Sequence, residues 1–299
     1  MSINAQLCPL EQHSKLIVSG PDAFKFLQGQ CTCDLNEANE NKIILGAHCN
    51  PKGRVLFNFI LIKSNENEYT LRMRQNIICS ALQNLKKYST FFKVEMAVSE
   101  LPNFALLGSQ YQEGAPKSGQ WLQDGELTVL NHGGGFVEYW GGAPSIDEPV
   151  IVADTGLADL HLIQQGIVEI EAATTEKLTP HDINFQFIGG ISFSKGCYTG
   201  QEVVARMHYK AALKKHCYHV KFNTLNATEI GHALLDRKSS LPNTPKAVAL
   251  VVAAANDTLN DVTHALIITT DSAFESQAEL VDEKTQAKIS WATLPYAIT

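Results

Sequence analysis

The chain has 299 residues, a formal net charge of -7 and 44% hydrophobic residues, values typical of a globular protein. A single hydrophobic core rarely extends beyond roughly 250–300 residues, so this length predicts two or three domains. The acidic balance disfavours nucleic acid as the main partner. Neither the first residues nor any apolar run has the pattern of a signal peptide or a membrane span, so we expect a cytoplasmic protein that contacts no membrane.

The first part of the chain predicts an α+β unit. The residues LIVSGPDAFKFLQGQ predict a strand, a turn and a helix, with Pro21 in the first helical turn and Phe24, Leu27 and Cys31 on one face. The segment KIILGAHCNPKGRVLFNFILIK predicts a β-hairpin closed by NPKG. A strand over YTLRMR and a helix over NIICSALQNLKKY follow.

The rest of the chain changes from mixed to β character. A Gly-rich region holds short strands, and HGGGF within it predicts a turn. The segment GLADLHLIQQGI predicts a helix with an apolar face of Leu157, Leu160, Ile163 and Ile167. From Lys214 onward, the runs KKHCYHVKF, AVALVVAAA, HALIITT and AKISWATL predict a small all-β domain in the form of a barrel.

The seven cysteines do not predict a disulfide framework, because their number is odd and the chain is not a small secreted domain. Cys31 and Cys33 form C-x-C rather than the C-x-x-C of redox and zinc sites. Buried, unreactive thiols are therefore expected at every position except Cys197.

Cys197 lies within the segment KGCYTGQEVVAR. Thr199 and Glu202 have the spacing of a capping box, which predicts a helix from Gly200 toward Tyr209 and gives Glu202 a structural role. The thiol would then precede a helix N-terminus, where the helix dipole favours an anion.

Lys195 adds positive charge beside this thiol, and Arg206 could do so through the fold. These features lower a cysteine pKa. The spacing alone is equally compatible with a reactive thiolate at Cys197 and with a small buried residue in a tight turn.

The same twelve residues resemble the signature of the YgfZ-type folate-binding proteins, relatives of the aminomethyltransferase T protein of the glycine cleavage system. The segments LIVSGPDAFKFLQGQCTCDL, NPKGRVLFNFIL and LIQQGI extend the resemblance over most of the chain. It implies a ring-like α+β fold of three subdomains around a folate site. It also implies a role in making or repairing iron–sulfur proteins, including enzymes that thiomethylate transfer RNA. The family's functional cysteine corresponds to Cys197, and the other matching positions are Lys195, Gly196, Tyr198, Gly200, Gln201, Glu202 and Arg206.

On this resemblance we expect a discontinuous folate-binding subdomain of residues 1–40 and 145–212, an α+β subdomain of residues 41–144, and a β-barrel-like subdomain of residues 213–299. The expected cofactor is tetrahydrofolate. For its anionic tail we select Lys195 and Arg54, and for the apolar wall Tyr198 and Phe24. For the polar edge of the ring the candidates are Asp182 or Gln201. Glu202 and Arg206 are included as further contacts.

Three departures from the T-protein pattern affect the expected activity. The acidic pair after the hairpin turn is replaced by Phe57 and Asn58, which removes the carboxylate that would handle a proton at folate. The Arg-x-Glu segment is replaced by Leu162, Ile163 and Gln164. The PQE segment of the family reads Pro180, His181, Asp182 here, so the carboxylate is kept but its side chain is one methylene shorter.

Four functions are consistent with these residues. The first is a folate-binding accessory protein for iron–sulfur enzymes, with Cys197 as its key thiol and those enzymes as partners. The second is a folate-dependent aminomethyltransferase, which Phe57 and Asn58 disfavour because acid–base help supplies roughly 10²–10⁴-fold in rate. The third is a cysteine-dependent thiol enzyme, for which the sequence identifies no base. The fourth is a scaffold in which Cys197 only packs.

Overall fold

The computed structural model describes residues 5–38, 41–108, 115–145, 151–210, 212–236 and 247–298. The chain forms two compact units, each assembled from several segments. The first unit comprises Met1–Cys49, Leu56–Ala158 and Gly189–Thr199; the second comprises Asn50–Val55, Asp159–Ile188 and Gly200–Thr299. The boundary after Thr199 divides the KGCYTGQEVVAR segment between the units. The division into three subdomains stays a prediction.

The secondary structure mixes strands with short helices. The strands are β1 (Gln6–Pro9), β2 (His13–Ser19), β3 (Ile44–Cys49), β4 (Val55–Asn65), β5 (Glu68–Arg74), β6 (Glu95–Ser99), β7 (Asn103–Leu107), β8 (Gln120–Asp124), β9 (Leu127–Gly133), β10 (Phe136–Trp140), β11 (Ile151–Val152), β12 (Lys215–Phe222), β13 (Ala233–Asp236), β14 (Ala247–Asp257), β15 (Val262–Thr270), β16 (Leu280–Asp282) and β17 (Ile289–Ala292). The helices are α1 (Ala23–Gln28), α2 (Ile78–Lys86), α3 (Gly156–Gln164), α4 (Gln201–Lys210) and α5 (Asp271–Glu275). None of the helices in the described ranges has the length and apolar character needed to cross a membrane.

The first unit contains two sheets. One has the order β3-β4-β5-β2-β6, and the other has the order β11-β1-β7-β10-β9-β8. A buried cluster of Ile60 and Ile62 from β4 with Trp121, Leu130 and Trp140 from the other sheet joins them. The predicted hairpin is confirmed as β3 and β4, and HGGGF is confirmed as the turn between β9 and β10.

Helix α1 follows the predicted strand β2, but its buried face differs from the prediction. Asp22 is the N-cap, so Pro21 precedes the cap rather than lying in the first turn. Phe26 and Leu27 are fully buried, whereas Phe24 is 39% exposed. Phe26 packs against Phe92, with ring centroids 5.3 Å apart. Helix α1 has only six residues, so its apolar side chains do not form one continuous stripe with a period of 3.6 residues.

The second unit contains one six-stranded sheet with the order β16-β13-β14-β15-β12-β17. Its core includes Val220, Phe222, Leu234, Val251 and Ile267. This confirms the predicted all-β region, but not a closed barrel. Among the described residues, its edge strands meet only at an isolated bridge between Val281 of β16 and Lys288, the residue before β17, which makes the sheet a half-barrel.

Helix α3 confirms the predicted helix but ends earlier. The amide of Gly166 donates to Ile163 and that of Ile167 donates to Leu162, a C-terminal motif that needs the positive φ of Gly166 (70°). Ile167 therefore lies beyond the helix, and the predicted face stops at Ile163.

Candidate functional site

The Gly189–Thr199 segment has no regular secondary structure and is fixed by hydrogen bonds to the chain that follows α1. The Ser192 amide donates to the Thr32 carbonyl at 2.9 Å, and the Thr32 hydroxyl donates to the Gly190 carbonyl at 2.6 Å. At the other end, the Thr199 amide donates to the Gly29 carbonyl at 3.1 Å. Cys197 is thus carried by a loop that is tied down on both sides.

Lys195 is the central anchor of this loop. It is only 7% exposed, and its Nζ donates to the carbonyls of Gln28 at 2.8 Å, Cys31 at 2.7 Å and Cys33 at 2.7 Å. Burial lowers the pKa of this ammonium group. An ammonium has three N–H donors, so these three carbonyls use all of them. None remains to donate a hydrogen bond to a folate carboxylate, which disfavours the predicted contact with the folate tail; the predicted effect of the Lys195 charge on Cys197 stays a prediction.

Cys197 is exposed, unlike five of the seven cysteines. This favours an accessible thiol over the alternative of a small buried residue. Cys79 on α2 is exposed as well, so the expectation that every other cysteine is buried is wrong at that position. The acidified thiolate stays a prediction.

Tyr198 is buried against the anchor, with Lys195 Nζ 5.2 Å from the centroid of its ring. Burial raises the pKa of its hydroxyl well above the usual range. Its ring therefore packs beneath the loop. A ring that formed an apolar wall for folate would have to be accessible to the ligand. Phe24, the other predicted wall residue, is exposed on α1.

The helix after the loop begins one residue later than predicted. Gly200, with a φ of 84°, is the N-cap, because its carbonyl accepts the first helical bond from Val204 at 3.3 Å. The Thr199 hydroxyl donates to Gln30 Oε1 at 3.1 Å. The predicted capping box is therefore wrong: Thr199 anchors the loop, and Glu202 is an exposed residue of the first turn.

The other predicted site residues lie in the second unit. Arg54, in the hairpin turn, donates from Nη1 to the Lys177 carbonyl at 2.9 Å and lies 3.8 Å from Asp182 Oδ2. Asp182 Oδ2 also accepts from the amide and the hydroxyl of Thr179, at 2.8 Å each. Asp182 thus organises its own turn and holds Arg54.

The hairpin turn packs closely against α4. Gly53 has a φ of 70°, and a Cβ at this position would lie 2.9 Å from Val203 of the helix. Glycine is required here by both the backbone conformation and the close approach. The turn sequence NPKG therefore places Arg54 in the same unit as α4.

One face of α4 lines a groove of about 510 Å³, formed by Glu202, Val203, Arg206, Met207 and Lys210. The spacing of these residues puts one carboxylate, two apolar side chains and two cations along one side of the helix. Sequence reasoning selected Glu202 and Arg206 but missed Met207 and Lys210. Met207 lies four residues after Val203, and Lys210 lies four residues after Arg206, which was the available indication.

Gln201 is the first residue of α4 and is partly buried. In the same unit, His181 is fully buried, and burial lowers the pKa of its imidazole to about 4. His181 stacks on His208, with centroids 6.3 Å apart. A histidine of this kind stays neutral at physiological pH and is a packing residue of the PHD segment.

A second cavity, of about 420 Å³, lies in the half-barrel unit. Its walls include the rings of Tyr218, Phe274 and Tyr296, together with the carboxylates of Asp271 and Glu275. The described residues that line it include no lysine or arginine. Its charge therefore does not suit a ligand with an anionic tail, unlike the groove along α4.

Phe57 and Asn58 both lie on β4 and are buried, with exposures of 1% and 4%. The Phe57 ring packs between His48, at 5.2 Å, and Phe59, at 6.0 Å. These positions are therefore part of the packed interior of the first unit.

Comparisons with known proteins place this geometry in context. The family model described as the GCVT N-terminal domain matches residues 2–120. The chain is 33% identical to the tRNA-modifying protein YgfZ of Photobacterium profundum, over 76% of this chain and 73% of that protein. It is 29% identical to the tRNA-modifying protein YgfZ of Pectobacterium carotovorum, over 99% of this chain and 94% of that protein.

The fold has a solved counterpart in the glycine cleavage system aminomethyltransferase T from Bartonella henselae. The TM-score is 0.73 at 16% identity, and the match covers 98% of this chain and 86% of that chain. This likeness confirms the predicted T-protein-like fold, while the division into three subdomains stays a prediction.

Proposed function

Because the chain belongs to the family of the tRNA-modifying protein YgfZ, we propose that it is a cytoplasmic tetrahydrofolate-binding accessory protein. Its clients would be iron–sulfur enzymes of tRNA modification, and Cys197 would be the thiol through which it acts. The groove along α4 is the observation that carries the folate part of this proposal.

The groove has the three chemical elements that a reduced folate requires. The pterin ring presents N–H donors to a carboxylate, which Glu202 supplies. The flat aromatic middle of the ligand needs apolar contact, which Val203 and Met207 supply. The glutamate tail is anionic, and Arg206 and Lys210 are both exposed cations on this face. A volume of about 510 Å³ lies within the range of roughly 300–1,000 Å³ found for small-molecule sites.

Phe57 and Asn58 support an accessory role rather than aminomethyl transfer. Transfer to a folate nitrogen requires a group that handles a proton at the reacting atom, and a phenyl ring and an amide do not do so at neutral pH. Both side chains are buried in β4, and neither carries an ionisable group.

Isothermal titration with tetrahydrofolate tests the folate site. We expect Arg206→Gln to weaken binding about tenfold, because it removes a charge-assisted hydrogen bond of roughly 1.5 kcal/mol. The loss should grow when the ligand carries three glutamates instead of one. Lys284→Gln, which removes an exposed cation elsewhere in the second unit, is the matched control. Equal affinities of the parent and Arg206→Gln would contradict the proposal.

Complementation tests the thiol. In a strain that lacks the gene, Cys197→Ala should fail to restore the activity of iron–sulfur enzymes and the thiomethylation of tRNA. Cys79→Ala, which removes the other exposed thiol, should restore both. Full rescue by the Cys197 variant would reduce Cys197 to a packing residue. An aminomethyl-transfer assay with glycine cleavage partners should give no product above the uncatalysed rate.

A further inference from the structure

The second cavity, in the half-barrel unit, has no role in the function proposed above. Its volume of about 420 Å³ lies within the range of roughly 300–1,000 Å³ found for small-molecule sites. Aromatic rings and carboxylates share its walls. Tyr218 comes from β12, Asp271, Phe274 and Glu275 come from α5, and Tyr296 follows β17. All of these residues belong to the second unit.

The two carboxylates lie on the same face of α5, because Asp271 and Glu275 are four residues apart. Asp271 is held in place: its Oδ1 accepts from His216 Nδ1 at 2.7 Å and from the Tyr218 hydroxyl at 2.9 Å. Both bonds end on the same oxygen, so Oδ2 keeps its capacity to accept from a ligand. Glu275 is exposed. Among the described residues that line the cavity, no lysine or arginine balances these two groups.

The aromatic rings of the cavity are fixed before any ligand binds. Tyr218 and Phe274 are stacked, with ring centroids 4.4 Å apart and an interplanar angle of 19°. Trp291 packs edge-on against Phe274, with centroids 5.4 Å apart. The Tyr296 hydroxyl donates to the Gly166 carbonyl at 2.9 Å, which holds that ring in position. The faces of aromatic rings carry partial negative charge and attract organic cations.

We propose that this cavity binds a small organic cation, an ammonium ion carried on an apolar or aromatic body. The ammonium group donates hydrogen bonds to Asp271 and Glu275. The body packs against the rings and against Leu294 and Ile298. A ligand with carboxylates is repelled from these walls, and a hydrated metal ion gains nothing from their apolar part. The proposal does not rest on the folate function, because the cavity and the groove along α4 share no lining residue.

Isothermal titration of the full-length protein at low salt tests the proposal. The probe is phenethylamine, which is an ammonium ion at neutral pH. The matched control ligand is phenethyl alcohol, which has nearly the same shape and no charge. We expect the amine to bind at least about tenfold more tightly, because only the cation gains from the carboxylates and the ring faces. No binding of the amine at about 10 mM, or equal affinities for the two ligands, would overturn the proposal.

Glu275→Gln locates the bound cation within the molecule. Glu275 is exposed, so its replacement should leave the packing of the unit unchanged. We expect the affinity for phenethylamine to fall about fivefold and that for phenethyl alcohol to stay the same. Glu283→Gln, which removes an exposed carboxylate of the same unit outside the cavity, is the matched control. Equal losses in the two variants would show that the cation responds to the net charge of the protein, and would contradict the assignment to this cavity.

A lysine derivative separates two sources of the same ammonium chemistry. Nα-acetyl-lysine methylamide presents the ammonium group of a lysine side chain together with its peptide groups. We expect it to bind more weakly than phenethylamine, because an aromatic body suits the rings, whereas peptide groups against apolar walls lose their hydrogen bonds to water. Tighter binding of the lysine derivative would overturn the assignment of a free small molecule in favour of a lysine of a partner protein.

Discussion

Two buried cations in the first unit show different ways of accommodating a charge. Arg72 is 2% exposed and faces the carboxylate of Glu138, with Nη2 3.0 Å from Oε1. Lys195 is 7% exposed and donates its hydrogen bonds to backbone carbonyls. Arg72 therefore depends on one ionisable side chain, whereas Lys195 depends on the path of the main chain.

The Glu138 carboxylate is shared among several donors. Trp140 Nε1 donates to Oε2 at 2.8 Å, and His132 Nε2 lies 3.2 Å from Oε1. Burial alone would raise the pKa of Glu138, but Arg72 and His132 outweigh it and lower the pKa to about 2. A cation held by a carboxylate is thus sensitive to acid, while carbonyl oxygens do not titrate. Acid therefore weakens the Arg72–Glu138 pair but leaves the acceptors of Lys195 unchanged.

The largest expected effect is that of Glu138→Gln. It leaves Arg72 buried without its countercharge, so we expect a loss of about 4 kcal/mol in the free energy of unfolding. Urea denaturation measures this loss. Glu126→Gln, at an exposed turn between β8 and β9, should change stability by less than about 0.5 kcal/mol. A loss as small as that of the control would show that the ion pair is dispensable.

Lys195→Met should cost about 3 kcal/mol, because the carbonyl groups of Gln28, Cys31 and Cys33 lose their common donor. Lys93→Met, an exposed lysine of the same unit, is the control. Where the Lys195 variant remains folded, its folate affinity should stay within about twofold of the parent, since Lys195 is an anchor rather than a ligand contact. A selective loss of affinity with unchanged stability would reverse that assignment.

Acid should distinguish the two cations directly. The pKa of Glu138 falls from 4.5 to about 2 on folding, so its contribution is complete above pH 4.5 and is lost as the pH falls toward 2. The expected loss is about 3 kcal/mol, measured as stability against pH. Acidification keeps Lys195 charged, so its anchor adds no acid transition. Glu138→Gln should remove the transition, and its persistence in that variant would assign it to another group.

Thr199→Val should have the smallest effect, about 1 kcal/mol, because it removes one side-chain hydrogen bond to Gln30 and keeps the amide bond to Gly29. Thermal unfolding measures the change, and Thr90→Val, at an exposed position of the first unit, is a suitable control. A loss of stability as large as that of Lys195→Met would mean that the loop depends on Thr199 at its end as much as on Lys195 at its centre.

The sequence predicted the elements whose information is local. The hairpin of β3 and β4 was predicted because NPKG has turn chemistry at each position, and Gly53 is required there by a φ of 70°. The strands β12, β14, β15 and β17 were predicted from their apolar runs. The placement of Phe24, by contrast, was not predicted, because α1 is short and its burial is decided by the partner ring of Phe92.

The sequence by itself determined the family and the α+β class, because a dense motif and strong periodicity are properties of neighbouring residues. Only the tertiary structure decided that Cys197 is exposed and that Lys195 and Tyr198 are buried. Lys195 is 164 residues away from Cys31 in the chain, yet it donates a hydrogen bond to its carbonyl group. A side chain's partners depend on which backbone groups the fold brings within about 3 Å, and sequence spacing does not report that distance.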